Sequence, residues 1–472
     1  MKEQFVGREK ELAWLETGYR AAHSEGQLLI LYGKRRVGKT ELAKHFISSK
    51  DSIYFVAEKG TPQDQLKTAK NTFADGFNDE VMRNATFESW RDLFRYIGQK
   101  LDGRKKPFVL VFDEFPYLAE SDGAMSSYFQ IGWDEFLKDK KVLMVLMGSS
   151  ISMMYKHALL HSAPLYGRRT GQWMLEPFNY AGAKLFHGAH NAFVNTFSLY
   201  AITGGIPAYE RVFRGNKTLE GNLRRFVLPE GSYLSVEPEL LLSEEFTNPR
   251  PYLSILKAIG LGRTRFSEIV SETGIGSTAL PGYLGTLLEL RLIKKEIPVT
   301  EKVPETSKTS TYSLSDSFLR FYFSFIYPHS SLIKGGSIDA LFSRHGEILQ
   351  QLVAKAYEDA AKQFIEHAMQ DELLPHFDKL DRWWNKNCEI DVVGVNDSEQ
   401  AILFTEVKWT NQKMHSRILD GLKEKSVQVK WGTAERKEYY CLVSKSGFTD
   451  ELIKKAKAEG VVLIQEDRVL AQ

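Results

Sequence analysis

Cysteine is nearly missing from this chain: only Cys388 and Cys441 occur among 472 residues. A disulfide framework and a four-cysteine zinc site are thereby excluded, and both residues are expected as free thiols. Long apolar runs are missing too. The longest, such as Phe108 to Phe112 and Val142 to Met147, fall far short of the roughly 20 residues a membrane helix needs, so they read as buried strands and no membrane partner is expected. Met1-Lys2-Glu3-Gln4 passes directly into a charged amphipathic stretch without the ~7–15-residue apolar core of a secretory signal, which makes the cytoplasm the expected compartment. No surplus of one charge exists either. The 62 Lys+Arg against 60 Asp+Glu leave a formal +2, so a nucleic-acid role has to come from local patches rather than from bulk electrostatics.

Apolar residues at 43% and charged residues at 26% match the usual soluble globular balance. At about 150 residues per domain, the length predicts about three domains. Without internal repeats, the chain divides by hydrophobic period and breakers. Residues 1–175 alternate short apolar runs (Leu28 to Tyr32, Ile53 to Val56, Phe108 to Phe112, Val142 to Met147) with helical patterns. That is the signature of an α/β domain whose parallel sheet is covered on both faces. Residues 176–248 follow helical spacing, broken at Gly204-Gly205-Ile206-Pro207 and Pro229-Glu230-Gly231, and read as a helical lid.

Residues 249–330 spell a winged helix-turn-helix: three helices (Tyr252 to Ile259, Phe266 to Thr273, Ser277 to Leu290), then strands Leu292 to Val299 and Thr309 to Leu314 around the polar run Thr300 to Lys308. Ser277 to Leu290 would be the recognition helix and Lys294-Lys295 a phosphate-touching wing. Because Tyr283, Leu284, Leu287, Leu288 and Leu290 must be largely core, a structural role competes with base reading. Residues 331–472 open with the helix Glu347 to Met369. They continue with strands near Glu389 to Val395, Ala401 to Lys408 and Tyr439 to Val443, a helix, and a last strand Val461 to Ile464. A second α/β unit follows.

Between the first apolar strand and the helix Glu41 to Ile47 lies Gly33-Lys34-Arg35-Arg36-Val37-Gly38-Lys39-Thr40, which fits G-x-x-x-x-G-K-[ST] in the context that motif requires. Gly33 and Gly38 let the backbone curl so that N–H groups face phosphates. Lys39 would reach the β/γ-phosphates and Thr40 would hold Mg²⁺. Arg35, Arg36, Val37 and Glu41 complete the candidate binding stretch. The apolar strand ending in Asp113-Glu114 supplies the partner: Asp113 beside Mg²⁺ and Glu114 polarising the attacking water. The absence of an Asn-Lys-x-Asp signature favours ATP over GTP.

With these residues in hand, the chain resembles the STAND class of AAA+-related P-loop ATPases, most closely the archaeal-type ATPase family. Phe5-Val6-Gly7-Arg8-Glu9-Lys10-Glu11 is similar to the class's hhGRExE motif and Gly204-Gly205-Ile206-Pro207 to its G-x-P motif. The resemblance implies that Gly7, Arg8 and Pro207 flank the adenine and ribose. It also implies that Ser149, in Gly148-Ser149-Ser150 after a strand, reads the γ-phosphate, and that Arg168 or Arg169 supplies an arginine finger. A simple turn and an acid-paired surface role are the alternatives for these serines and arginines.

Glu389-Ile390-Asp391-Val392 is followed by Thr405-Glu406-Val407-Lys408-Trp409. Residues two apart share a strand face, so Glu406 and Lys408 point the same way from an otherwise apolar strand, and Asp391 is within reach if the strands form a hairpin. Converging carboxylates would hold a hard divalent ion, most suitably Mg²⁺, with the lysine orienting or activating water against a phosphodiester. Glu358 lies on the buried stripe of its helix and offers a third acid. This pattern resembles the PD-(D/E)xK nuclease fold, onto which Glu358, Asp391, Glu406 and Lys408 map individually, although no Pro precedes Asp391. Trp383-Trp384 has a counterpart in the family's C-terminal domain of unknown function and is expected to pack.

Lys413, Arg417, Lys423, Lys425 and Lys430 with Trp409 and Trp431 would form a basic, aromatic DNA face, or a solvated surface. The expected whole is an ATP- and Mg²⁺-dependent switch that controls a nuclease-like domain acting on DNA, with a homo-oligomer allowed. The alternative is an ATP-dependent regulatory or DNA-binding protein whose terminal acids are paired internally and do not cut.

Overall fold

The structure is a computed structural model that describes residues 5–188, 190–303, 307 and 309–470. The opening tetrapeptide, and positions 304–306 and 308 of the polar run, lie outside the described residues. The chain forms two compact units. One comprises residues up to Phe178 with Ile206–Tyr209, the other Asn179–Gly205 with the chain from Glu210 onward.

In the first unit β1 (Gln27–Tyr32), β2 (Ser52–Val56), β3 (Phe108–Asp113), β4 (Val142–Gly148) and β5 (Gly171–Met174) make a parallel sheet in the order β2-β3-β4-β1-β5. Every residue of β1, β3 and β4 is buried, because alternation sends side chains into two cores. Leu28, Ile30, Leu110 and Phe112 enter one, while Leu29, Leu31, Val109 and Val111 enter the other. The edge strand β5, four half-buried or exposed residues of mixed polarity, carries no apolar run and escapes a reading by period. The chain leaves the interior strand β1 for the far edge β2 and works back, so strand order reverses beside β1. Ligands of such sheets bind beyond the strands' C-terminal ends at that reversal.

In the second unit, helices Arg250–Gly260, Phe266–Thr273 and Leu280–Glu289 precede an antiparallel hairpin of β6 (Ile293–Glu296) and β7 (Thr311–Leu314). Leu284, Leu287 and Leu290 are buried, with Tyr283 and Leu288 half-buried. Lys294 departs from the expectation of a phosphate-touching wing. Its ammonium turns to Glu296 at 2.9 Å and Asp359 at 3.7 Å, because two carboxylates beside a half-buried lysine hold it more firmly than solvent does.

The long helix Ile338–Gln370 starts well before Glu347. Gly346 has open space where a side chain would stand and leaves the helix unbroken. The helix packs on β9 (Glu389–Asn396) and β10 (Ala401–Lys408). These belong to a six-stranded mixed sheet, completed by β8 (Lys379–Trp384), β11 (Lys437–Ser444), β12 (Val462–Gln465) and β13 (Arg468–Val469), in the order β13-β12-β11-β10-β9-β8. Neither edge strand follows an apolar period, so β8 and β13 are absent from the reading by sequence. Trp383 packs into the sheet's core and Trp384 is half-buried. Helices Ser416–Ser426 and Asp450–Glu459 cover one face through Leu419, Leu422, Leu452 and Ala456.

Candidate nucleotide site and acidic centre

The phosphate loop follows β1 directly. Gly33 has φ 151, and a Cβ there would collide with the carbonyl oxygen of Leu175, so only glycine lets the loop pass β5's end. Gly38, at φ 95, caps the helix Lys39–Ile47, whose first N–H groups face the loop. Lys39 is 6% exposed, and its Nζ donates to the carbonyls of Gly33 and Lys34 at 2.9 Å each. Thr40 Oγ1 donates to Asp113 Oδ2 at 2.9 Å. A hydroxyl and a buried carboxylate facing each other are a hard-oxygen pair of the kind Mg²⁺ takes. Arg35 donates to the Tyr117 hydroxyl at 2.8 Å, Arg36 adopts φ 66 with its guanidinium 6.0 Å from the Tyr209 ring, and Glu41 is exposed in the helix's first turn.

Arg8 fastens the N-terminal motif to this loop. It donates to Val37 O at 2.9 Å and to Glu11 at 3.0 Å, and stacks 3.9 Å over Phe178. Gly7, at φ 65, lies so close that a Cβ would stand 2.8 Å from the same ring. Pro207 belongs to this unit, 3.8 Å from where a Cβ on Gly38 would be.

Glu114 adopts φ 54, and its carboxylate accepts from the Ser149 hydroxyl at 2.6 Å and the Ser149 N–H at 3.2 Å. The Ser149 side chain is therefore directed at Glu114. Ser150, by contrast, shares a hydrogen bond with Ser152. The arginines are engaged elsewhere. Arg168 pairs with Asp134 at 3.1 Å, and Arg169 donates to the carbonyls of Ala158 and Leu159. Acceptors in the preceding segments thus hold both guanidiniums.

Tyr54 escaped the sequence reading. Parallel register sets β2 against β3, with Val56 opposite Asp113, and the Tyr54 hydroxyl donates to Asp113 Oδ2. Burial, and then the Asp113 charge, raise the phenol's pKa. A tyrosine two residues before a strand's end was the available signal, and it needed the register to be useful.

In the second unit β9 and β10 are antiparallel, with Val392 opposite Thr405. Asp391 and Glu406, the residues just beyond that pair, are 8% and 7% exposed. Asp391 Oδ2 accepts the Val407 N–H at 2.8 Å. Burial, and then the carboxylates of Glu406 and Glu358, push the Asp391 pKa up to about 7. Lys408 donates to Glu406 Oε1 at 2.6 Å and Lys425 to Oε2 at 2.9 Å, while Lys355 donates to Glu358 at 2.8 Å. Although burial works against it, Glu406, Asp391 and Glu358 keep the Lys408 pKa above its ordinary value.

The hairpin thus brings together Asp391, Glu406 and Lys408, with Glu358 from the long helix and Lys425 from the helix Ser416–Ser426 beside them. Among the described residues, no group of three or more His, Cys, Asp or Glu is arranged to hold a metal ion. The donor atoms are hard carboxylate oxygens, which suit Mg²⁺ in kind, but both Glu406 oxygens are already taken by ammonium groups.

The residues expected to form a basic, aromatic face are placed differently from one another. Lys425 serves Glu406, Lys423 pairs with Glu459 at 2.7 Å, and Trp431 packs against the core. Trp409 lies among Phe197, Tyr357 and Phe193 at ring distances of 5.2, 5.1 and 6.0 Å. Buried aromatic area outweighs exposure for such side chains, which leaves Lys413, Arg417 and Lys430 exposed.

Residues 5–209 match the ATPase domain predominantly from Archaea, and residues 322–419 match Archaea bacterial proteins of unknown function. Among the described residues no helix is long and apolar enough to cross a membrane. The solved Walker-type ATPase PABY2304 of Pyrococcus abyssi superposes with a TM-score of 0.49 at 23% identity, over 68% of this chain and 97% of that one. The uncharacterized protein MJ0424 of Methanocaldococcus jannaschii is 33% identical over 87 residues, which is 18% of this chain and 82% of its own length. The uncharacterized protein MJECL04 of the same organism is 32% identical over 445 residues, covering 93% of this chain and 95% of that protein. The chain therefore belongs to the family of MJECL04, with an archaeal-type ATPase domain in its N-terminal part.

Proposed function

We propose that the protein is an ATP-hydrolysing switch of the STAND type that governs a Mg²⁺-dependent, nuclease-like C-terminal domain acting on DNA. The observation that carries the ATPase part is the triad Lys39, Thr40 and Asp113 around one loop, with Glu114 oriented by Ser149 beside it. Lys39 would bind the β/γ-phosphates, Thr40 and Asp113 would hold Mg²⁺, and Glu114 would accept a proton from the attacking water. Bound Mg²⁺ would neutralise charge on the transferring phosphoryl group. In the terminal domain Asp391 and Glu406 would hold the second cation, Glu358 would add negative charge, and Lys408 would orient water. Residues 249–330 would act as a winged helix linking the two.

One observation favours a second reading, in which the terminal domain binds without cutting. Lys408 and Lys425 occupy both oxygens of Glu406, so that acid is neutralised without a cation.

The ATPase reading is tested by steady-state hydrolysis. Wild type should turn over Mg²⁺-ATP and Lys39→Ala should not; equal turnover by both would refute it. The two readings of the terminal domain part on a cleavage assay of DNA with Mg²⁺ or Mn²⁺, with and without ATP. Cleavage lost in both Asp391→Ala and Lys408→Ala supports the nuclease, and no cleavage under any condition supports the binding domain.

A further inference from the structure

Adjoining the acidic centre, the second unit has a half-open cavity of about 380 Å³ between the β6–β7 hairpin and β8, within the roughly 300–1,000 Å³ range of small-ligand sites. Its wall carries four cations from four separate elements: Arg265 before the helix Phe266–Thr273, Arg320 on Ser317–Phe321, Lys355 on the long helix, and Arg382 on β8. Against them stand two carboxylates, Glu296 and Glu389, and two aromatic rings, Tyr312 and Trp384.

Like charges converging on one cavity repel strongly where water is scarce, so something must hold them there. Asp359 takes Arg320 at 3.2 Å, Glu389 and Glu296 take Arg382 at 2.9 and 3.3 Å, and Glu358 takes Lys355 at 2.8 Å. Arg265, which is exposed, adds a further guanidinium to these paired cations. Burial alone would raise the pKa of Glu296, yet Lys294 and Arg382 hold it at about 2. Arg320 and Lys294 likewise hold Asp359 below its ordinary value in spite of burial. The carboxylates here are thus held ionised by neighbouring cations, whereas neighbouring carboxylates raise the pKa of Asp391, and Lys355 pairs with Glu358 of that acidic centre.

We propose that this cavity is a second nucleotide site, taking a phosphate-bearing nucleotide unit with its phosphate among Arg265, Arg320 and Lys355 and its base against Trp384. Guanidinium forks match phosphate oxygens in pairs. An indole face accepts any base, and the Arg382 guanidinium lies 5.9 Å from the Trp384 ring. The unit can come from a nucleic-acid strand or a free mononucleotide, since both present the same phosphate and base.

The site requires neither ATP turnover nor cleavage at Asp391. It is therefore tested by binding alone, in the full-length Lys39→Ala background, without divalent cations. The probe is a labelled thymidine oligonucleotide longer than the ~4–16 nucleotides of a typical single-strand site, followed by anisotropy and challenged with AMP; direct AMP binding is followed by calorimetry. Arg265 is exposed, and the helix cap it provides uses its backbone N–H on Glu268, so substitution there keeps the fold.

Arg265→Ala should weaken binding of the occupying probe about fivefold and, for the oligonucleotide, reduce the salt slope by about one. Arg265→Lys should restore most of the loss, and Trp384→Leu should cost at least about fivefold. Displacement of the oligonucleotide by AMP, or AMP binding alone, assigns the pocket to free mononucleotides. Oligonucleotide binding that AMP does not disturb assigns it to a strand. The proposal is overturned if neither probe binds, or if Arg265→Ala, Arg265→Glu and Trp384→Leu all bind as the parent does.

Discussion

Lys425 Nζ stands 2.9 Å from Glu406 Oε2, on the carboxylate oxygen that Lys408 does not use. A group nineteen residues along the chain, on the helix Ser416–Ser426, thereby completes the neutralisation of a buried acid on β10.

Lys425→Ala should release Glu406 Oε2 and lower the thermal midpoint of the second unit, since one of the two ammonium partners of a buried carboxylate is lost while Lys408 keeps the other. Added Mg²⁺ or Mn²⁺ should then stabilise the variant more than the parent, by mass action on a site now open. Identical metal-induced shifts, measured by thermal unfolding in the Lys39→Ala background, would show that Lys425 does not compete with a cation.

Glu114→Gln should leave ATP binding intact while lowering kcat by about 100-fold or more, the usual contribution of a positioned general base. Ser149→Ala, which only loosens the Glu114 carboxylate, should lower kcat by less. Direct nucleotide binding and single-turnover hydrolysis separate the two effects. A Ser149→Ala defect as large as that of Glu114→Gln would assign chemistry to the serine itself.

Stability should depend on pH through Asp391. Its folded pKa, near 7, lies above the unfolded value of about 4. Protonation therefore favours the folded state: the contribution is complete below about pH 4 and fades as pH rises through 7. Asp391→Asn mimics the protonated form, so its thermal midpoint should exceed that of wild type at pH 8 in the absence of metal, with the gap closing toward pH 5. The Glu406 and Glu358 charges and the Lys408 ammonium face the same group and remain in both proteins. A gap independent of pH would contradict this origin.

Phe197 is fully buried against Tyr180, Tyr357 and Trp409. Phe197→Ala should cost about 3–5 kcal/mol in the second unit, read as an early melting step by near-ultraviolet circular dichroism. ATP binding by the first unit should persist.

Much of the first unit was readable because its physics is local. A strand, a glycine-rich loop and a helix N-terminus are contiguous in Gln27–Ile47, and an apolar strand ending in Asp113-Glu114 marks itself by period alone. The acidic centre was readable through alternation: Asp391 and Glu406 could meet only if two neighbouring strands formed a hairpin, which β9 and β10 do. Edge strands β5, β8 and β13 were not readable, since strands of mixed polarity show no period.

Local chain chemistry marked out the main elements, the phosphate loop and the candidates Glu358, Asp391, Glu406 and Lys408. Folding alone decided which groups answer one another across distance. Strand register brought Tyr54 to Asp113, helix docking brought Lys425 to Glu406, and the convergence of four elements made the cationic cavity around Arg320. Side-chain pairing energies depend on separation in space, and spacing along a chain says nothing of that until the sheet and helices are assembled.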